Sequence, residues 1–215
     1  MSARFVTLKL ATSLDGKIAT AAGESRWITG PQARQETHQL RSEHDAVLVG
    51  IETALADDPE LTVRTPGYAG LQPARVVLDS RQRLGEGSRL ALTAGDIPTY
   101  VIAATPPDAR LTDLGVRVLQ TTGARRPAPL DVVAILAGQG LHRLFIEGGG
   151  QVAASFLKAG LVDALEWFRA PIVIGAEGRP GIGDMGLDAL SAVRRLKRID
   201  VRQVGLDLWE RYERI

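Results

Sequence analysis

Three consecutive glycines between a predicted strand and a predicted helix are the first feature that could do chemistry. They lie in residues 144–151, LFIEGGGQ. Glycine lets the backbone approach an anion closely, and the start of a helix offers free N–H groups and the positive end of a dipole. The pattern therefore predicts a phosphate site, although a plain tight turn is the alternative. It matches neither G-x-G-x-x-G nor a phosphate loop that ends in Gly-Lys-Ser/Thr.

Two ionisable residues lie in or next to predicted strands: Lys9 is within residues 5–11, and Glu147 directly follows residues 143–146. A carboxylate beside a phosphate site can bind a substrate N–H or hydroxyl, or it can simply favour the start of a helix. Lys9 is costly to bury within a strand, so a functional role is one interpretation. The other is a side chain that extends from the sheet edge into solvent.

Two polar loops carry further candidates. Residues 23–30 (GESRWITG) include Trp27, which could stack on a flat ring or cover the edge of the core. Residues 57–64 (DDPELTVR) pair two carboxylates, a pattern that suits acid–base chemistry or an ordinary helix cap. Arg41 and Arg64 could clamp a phosphate bidentately, or remain solvated surface residues.

A hydroxyl and a guanidinium, Ser80 and Arg81, follow another predicted strand. This pair could bind a 2′-phosphate and so favour NADP over NAD, while an ordinary strand exit is the alternative. A basic cluster at residues 194–198 (RRLKR) has no interleaved aromatic residue and has acids nearby. A solvated face is favoured there over a nucleic-acid site.

The composition excludes several classes of protein. The chain has 215 residues, with 26 Lys and Arg, 25 Asp and Glu, three His and no Cys. Without Cys there is no disulfide, thiolate zinc site, iron–sulfur cluster or Cys nucleophile, and the His spacing predicts no metal site. The net charge of +1 argues against nucleic-acid and membrane partners. No apolar run has the length of a membrane span or a signal peptide, so we expect a cytoplasmic protein.

Short apolar runs that alternate with helical stretches must position these residues. Strands are predicted at residues 5–11, 45–49, 75–78, 99–103, 116–119, 143–146, 164–168, 172–174 and about 205–212. Helices are predicted at residues 31–42, 51–56, 130–139 and 150–159. The alternation indicates an α/β fold with three layers, αβα, around a mostly parallel sheet. No segment has the composition of a linker, so one domain is expected over residues 1–215.

The order of the motifs carries more information than each motif alone. The chain contains, in sequence, LKLATSLDGK, GESRWIT, a helix ending in LR, ADDPELTVR, VLDS, IEGG and GLVD. This series resembles the reductase half of the bacterial riboflavin-biosynthesis deaminase/reductase, over residues 5 to about 212. The resemblance implies a dihydrofolate-reductase-like fold with an antiparallel C-terminal strand.

The resemblance also implies a reaction. NADPH would reduce the ribosyl C1′ of 5-amino-6-(5-phosphoribosylamino)uracil to a ribitylamino chain, which requires no protein nucleophile. Family members usually carry an N-terminal zinc deaminase, which this sequence lacks, so a separate deaminase is expected as a pathway partner. Because family relatives are often dimers, a homodimer is also expected. Three alternatives stay open: the undeaminated 2,5-diamino pyrimidine as substrate, a pterin or dihydrofolate reductase, and a non-catalytic NADP-binding module.

Residue roles follow from the same resemblance. The cofactor-binding residues are predicted to be Ala11, Trp27, Thr53, Asp57, Ser80, Arg81, Gly149, Gly150, Gln151, Val152, Ala153, Ala154 and Ser155. The substrate-binding residues are predicted to be Ser25, Arg41, Leu61, Arg64 and Glu147. The candidates for supplying or relaying the proton that accompanies the hydride are Lys9, Asp57 and Glu147.

Overall fold

The computed structural model describes residues 4–121 and 126–215, which fall into two compact units. One unit comprises the described part of residues 1–5 together with residues 38–145. The other comprises residues 6–37 and 146–215. A single domain over residues 1–215 stays a prediction.

Eleven strands and six helices occur among the described residues. The strands are β1 (Phe5–Thr12), β2 (Lys17–Ala19), β3 (Ala46–Gly50), β4 (Ala74–Leu78), β5 (Thr99–Ala103), β6 (Arg117–Gln120), β7 (Arg143–Ile146), β8 (Ala164–Arg169), β9 (Arg179–Pro180), β10 (Leu196–Val204) and β11 (Asp207–Arg214). The helices are α1 (Pro31–Ser42), α2 (Ile51–Asp57), α3 (Arg89–Leu92), α4 (Ala109–Thr112), α5 (Pro129–Gly138) and α6 (Gly150–Lys158).

Parallel strands form the centre of the first unit. Strands β3, β4, β5 and β6 pair in that order, with Val47 opposite Arg75 and Val77 opposite Val101. Every residue of β3 and of β5 is buried. Strands that are buried on both faces need continuous apolar sequence, which explains why the runs AVLVG and TYVIA predicted them correctly.

A buried guanidinium anchors β4 in the first unit. Arg75 is only 1% exposed, and it donates hydrogen bonds to the Thr99 hydroxyl and to the carbonyls of Leu90, Thr93 and Ile97. Burial lowers the pKa of Arg75. These neutral acceptors connect β4 and β5 to the end of α3.

The second unit combines one parallel strand pair with three antiparallel pairs, one of which joins the short strands β2 and β9. β1 pairs parallel to β8, with Lys9 opposite Glu166. β8 pairs antiparallel to β11, with Phe168 opposite Trp209, and β11 pairs antiparallel to β10. The predicted α/β class, with mostly parallel strands and an antiparallel C-terminus, is confirmed. The C-terminus contributes two antiparallel strands where one was expected.

One predicted strand is wrong and three strands were not predicted. Residues 172–174 form no strand, because the backbone N–H of Ile174 binds the Asp15 carboxylate and the segment lacks a ladder partner. The short strands β2 and β9 were not predicted. β10 was not predicted either, since seven consecutive residues, 197–203, are exposed and the strand shows no apolar alternation. No helix among residues 4–121 and 126–215 combines the length and the apolar character required to span a bilayer.

Candidate active site

The predicted site residues are divided between the two units. The first unit holds Arg41, Thr53, Asp57, Leu61, Arg64, Ser80 and Arg81. The second unit holds Lys9, Ala11, Ser25, Trp27, Glu147 and residues 149–155. Many of them lie in loops that follow a strand or at the start of a helix, which is where ligand sites form in α/β proteins.

The glycine turn, residues 148–150, connects β7 to α6. Gly148 and Gly149 have φ values of 141° and 81°, which L side chains rarely adopt. At Gly150 a Cβ atom would lie 2.4 Å from the Pro180 carbonyl oxygen, and the Gly183 N–H donates to the Gly150 carbonyl at 2.8 Å. All three glycines therefore have a conformational or packing cause, so their number alone does not indicate a ligand.

The start of α6 does offer donors to a ligand. Its N-cap, Gly149, has no side chain to cap the helix. The N–H groups of Gly150, Gln151 and Val152 belong to the first turn, where an N–H has no acceptor within the helix, and they lie at the positive end of the helix dipole. This set of donors fits the phosphates of a dinucleotide.

The remaining predicted residues of α6 have structural contacts. Ala153 and Ala154 are buried, and the Ala153 N–H already donates to the Gly149 carbonyl at 3.0 Å. The Ser155 hydroxyl donates to the Val152 carbonyl at 2.8 Å. These three residues pack the helix, and their contact with a cofactor stays a prediction.

Lys9 and Ala11 lie on the same face of β1. Both are half-buried, while Leu8, Leu10 and Thr12 on the other face are buried. The Lys9 ammonium lies 5.7 Å from the centre of the Phe168 ring. The chain thus keeps a cation partly accessible on a strand whose opposite face packs into the unit.

Glu147 directly follows β7 and is half-buried. It occupies the position that the sequence predicted, one residue before the glycine turn. Glu147 thus precedes the start of α6 by three residues, where the helix dipole attracts negative charge. Its contact with a substrate stays a prediction.

Trp27 is held exposed in a strained conformation. Its side chain is 74% exposed, its φ is 72°, and the Arg34 guanidinium lies 4.4 Å from its ring centre. A left-handed backbone costs a bulky residue about 1–2 kcal/mol, and such outliers cluster at ligand sites. Ser25, two residues before it, is half-buried. The structure therefore leaves the Trp27 ring open to stacking.

Asp15 has a role that the sequence analysis did not predict. Its carboxylate accepts hydrogen bonds from the Ser13 hydroxyl at 2.6 Å, the Ile174 N–H at 3.1 Å and the Gly175 N–H at 2.8 Å. These bonds lower the pKa of Asp15 to about 2. We call this set of contacts the Asp15 latch. Asp15 lies within the motif LKLATSLDGK, which does not indicate partners about 160 residues away.

Thr53 and Asp57 lie one turn apart on α2, so they share a face of that helix. The chain then turns sharply, because Asp58 and Leu61 have φ values of 39° and 54°. Asp58 caps the helix in this left-handed conformation. Leu61 is nonetheless buried, so its side chain fixes the loop that follows.

That loop contacts Arg41 and carries Arg64, both in the first unit. Arg41, 9% exposed, donates to the Thr62 carbonyl at 2.6 Å. Arg64 pairs with the Glu60 carboxylate at 2.8 Å, and the other Glu60 oxygen lies 3.1 Å from Arg89. The Arg64 hydrogen bond lowers the pKa of Glu60. A phosphate that binds Arg64 must share it with Glu60.

Ser80 and Arg81 begin the loop after β4. The Ser80 carbonyl accepts a hydrogen bond from the Ala104 N–H at 3.0 Å. The preceding residue, Asp79, is fully buried and accepts from the Leu84 N–H at 2.8 Å. Ser80 is half-buried and Arg81 is exposed. A hydroxyl and a guanidinium on a held loop are suited to an anion.

Among the residues that the structure describes, no group of three or more His, Asp or Glu could hold a metal ion.

Comparison with known proteins identifies relatives over nearly the whole chain. A family model described as the RibD C-terminal domain matches residues 4–209. The riboflavin biosynthesis protein RibD of Bacillus amyloliquefaciens is 41% identical over 209 residues, which cover 95% of this chain and 56% of that protein. The 2,5-diamino-6-ribosylamino-4(3H)-pyrimidinone 5′-phosphate reductase of Methanothermobacter thermautotrophicus is 37% identical, over 97% of each chain. The chain thus spans little more than half the length of the RibD relative.

Solved structures show the same fold. Acinetobacter baumannii RibD has a TM-score of 0.86 at 32% identity, covering 99% of this chain and 58% of that one. The Thermotoga maritima diaminohydroxyphosphoribosylaminopyrimidine deaminase/5-amino-6-(5-phosphoribosylamino)uracil reductase has a TM-score of 0.83 at 27% identity, covering 99% and 57%. These likenesses cover both units.

Proposed function

Because the chain belongs to the RibD C-terminal domain family, we propose that it is an NADPH-dependent reductase of riboflavin biosynthesis. Its proposed substrate is 5-amino-6-(5-phosphoribosylamino)uracil, whose ribosyl C1′ is reduced to give the ribitylamino product. The observation that carries the proposal is the family match over residues 4–209. A relative of nearly equal length, named as a pyrimidinone phosphate reductase, supports it.

The proposed cofactor-binding residues provide two sets of anion ligands. In the second unit, the N–H groups of residues 150–152 suit the phosphates of NADPH. In the first unit, Ser80 and Arg81 suit the 2′-phosphate. Ala11, Trp27, Thr53 and Asp57 are proposed to line the nicotinamide side. When bound, NADPH supplies a hydride to the substrate C1′.

Arg41 and Arg64 are proposed to bind the 5′-phosphate of the substrate, together with Ser25. In the first unit, Arg41 donates to the Thr62 carbonyl and Arg64 pairs with Glu60. Leu61 holds that loop by its buried side chain. A dianionic phosphate carries more charge than the Glu60 carboxylate, so it competes effectively for Arg64.

Reduction of C1′ consumes one proton besides the hydride, and Lys9, Asp57 and Glu147 are the proposed sources or relays. The substrate reacts from its open-chain imine form, in which C1′ is doubly bonded to nitrogen, so the proton is delivered to that nitrogen as the hydride adds to C1′. Lys9 offers a partly accessible ammonium on β1. Glu147 offers a carboxyl group at the end of β7. Either side chain can position or relay that proton.

The test is NADPH oxidation, followed by absorbance, with purified protein. Three substrates are compared: the phosphoribosylaminouracil, its 2-amino counterpart and dihydrofolate. The proposal predicts turnover with the uracil and none with dihydrofolate. Oxidation with dihydrofolate alone would overturn it.

A second candidate substrate is favoured by a specific observation. The relative that matches over 97% of both chains is named for the 2,5-diamino pyrimidinone. Preference for the 2-amino compound in the same assay would select this candidate. A pterin substrate without phosphate would leave Arg41 and Arg64 without a function, and a non-catalytic NADP-binding module would not need them.

We further propose a cytoplasmic homodimer that works with a deaminase. The exposed edge strand β10 supports self-association, because it pairs with β11 on one side only among the described strands. Such edges invite pairing with another chain. Sedimentation equilibrium tests the proposal, which predicts twice the chain mass of 23.0 kDa; a monomer at micromolar concentration would contradict it.

A further inference from the structure

The loop from Asp79 to Leu84 contains a residue in an unusual conformation. Gln82 has a φ of 52°, yet it is not glycine, and it is only 5% exposed. Its own N–H donates to the Asp79 carbonyl at 3.2 Å. A long side chain in the left-handed region is strained, and such strain persists only where the surroundings enforce it.

Hydrogen bonds of the Gln82 side chain hold the backbone in this strained conformation. Its amide nitrogen donates to the Thr105 hydroxyl and to the Pro106 carbonyl, both at 2.7 Å. Its amide oxygen accepts from the Asp108 N–H at 2.8 Å. The Gln82 carbonyl accepts from the Arg110 guanidinium at 3.3 Å. One buried side chain thus joins the loop after β4 to the loop after β5.

Among the described residues, two other side chains of this loop, those of Ser80 and Arg81, make no such contacts. Within residues 4–121 and 126–215, the structure records no hydrogen bond from the Ser80 hydroxyl and no ion pair of Arg81. Arg83, by contrast, is paired with Glu52. The loop is therefore held by its backbone and by Gln82, while a hydroxyl and a guanidinium stay available for a ligand.

We propose that Gln82 is a positioning residue, which holds Ser80 and Arg81 where they receive the 2′-phosphate and thereby sets the preference for NADPH over NADH. The inference rests on the proposed function, since it needs a 2′-phosphate at this loop. A loop that is ordered before binding loses little conformational freedom when the ligand arrives. The resulting gain in affinity applies only to ligands that carry the 2′-phosphate, because only they contact Ser80 and Arg81 through that group.

The test measures dissociation constants by calorimetry for adenosine 2′,5′-bisphosphate and for AMP, which lacks the 2′-phosphate. The wild type should prefer the bisphosphate by about 100-fold, as expected for charge-assisted hydrogen bonds from two groups. Gln82→Gly keeps the left-handed backbone but removes the three side-chain hydrogen bonds. We expect the preference to fall about tenfold, with AMP binding unchanged.

A second test variant and a control variant accompany Gln82→Gly. Thr105→Ala removes one acceptor from an exposed position and leaves Gln82 in place, so it tests the inference even if Gln82→Gly does not fold. It should lower the preference about threefold, a loss near the low end for one hydrogen bond. Gln203→Ala, which removes an exposed glutamine from β10, is the matched control and should leave the preference intact.

The outcomes separate the inference from the proposed function. A wild type that discriminates, with unchanged discrimination in Gln82→Gly and Thr105→Ala, overturns the role of Gln82 alone. A wild type that binds both nucleotides equally overturns the choice of NADPH, and the inference with it. Reduced preference in both variants supports the inference.

Discussion

Glu147 offers the simplest test of the proposed proton chemistry at the scale of single residues. Glu147→Gln keeps the shape of the side chain but removes its charge and its acid–base function. We expect kcat with the uracil substrate to fall about 100-fold or more, as for loss of a general acid or base. Steady-state kinetics of NADPH oxidation measure it, with the exposed Glu213→Gln as control. Unchanged kinetics would remove Glu147 from the site.

Arg64 and Glu60 form a pair whose substitutions should act in opposite directions. Arg64→Ala should raise KM about tenfold or more, since it removes a charge-assisted hydrogen bond to phosphate. Glu60→Gln should lower KM, because it removes the carboxylate that competes for Arg64. Both effects should vanish with a substrate that lacks the phosphate.

The control for this pair is Arg195→Ala, which removes an exposed arginine ahead of β10. It should leave KM unchanged for both substrates. Equal effects of Arg64→Ala on the phosphorylated and dephosphorylated substrates would show that Arg64 does not bind the phosphate.

At the scale of elements, the Asp15 latch ties the loop after β1 to residues 174–175. Asp15→Asn removes the negative charge that holds two backbone N–H groups. We expect faster hydrogen exchange at Ile174 and Gly175, measured by NMR, with the exposed Asp113→Asn as control. Unaltered exchange at both amides would contradict the latch.

The pH dependence of the latch follows from its lowered pKa. The Asp15 pKa falls from 3.8 to about 2 in the folded chain. A carboxylate with a lowered folded pKa contributes stability fully above its unfolded pKa and loses it as pH falls through the folded pKa. The wild type should therefore lose protection of Ile174 and Gly175 between about pH 4 and pH 2, and Asp15→Asn should show no such transition.

The buried hydrogen bonds of Arg75 should contribute to the free energy of unfolding by holding β4. Arg75→Met fills much of the same volume but leaves buried carbonyl and hydroxyl acceptors without a donor. We expect about 3 kcal/mol lower free energy of unfolding, measured by denaturant titration. Arg117→Met, on the partly exposed strand β6, should cost less than about 1 kcal/mol. Equal losses would mean that the buried hydrogen bonds of Arg75 do not stabilise β4.

For the whole molecule, the alternation of strands and helices sufficed to predict the α/β class. The run AVLVG of β3 and the residues VVL of β4 are apolar because their strands are largely buried. β10 was not predicted from the sequence, because its exposed residues show no apolar alternation. Residues 172–174 were wrongly predicted as a strand, because a short apolar run alone does not distinguish a strand from a loop.

The places of candidate residues in the fold were predictable where a motif is contiguous, as at Glu147 and the glycine turn. The contacts of Asp15 and Gln82 were not, because their partners lie about 160 and 25 residues away in sequence. The three consecutive glycines predicted a phosphate site, but Gly150 is already required by its close approach to the Pro180 carbonyl. Long-range packing decides such details, and a single sequence does not contain it.

An isotope tracer tests whether hydride is transferred to C1′ of the phosphoribosylaminouracil. The protein is incubated with this substrate and NADPH that carries deuterium at both C4 positions of the nicotinamide. We expect a ribitylamino product with one deuterium at C1′, located by mass spectrometry and NMR. A product without deuterium at C1′, or no product while NADPH binds, would overturn the proposed function.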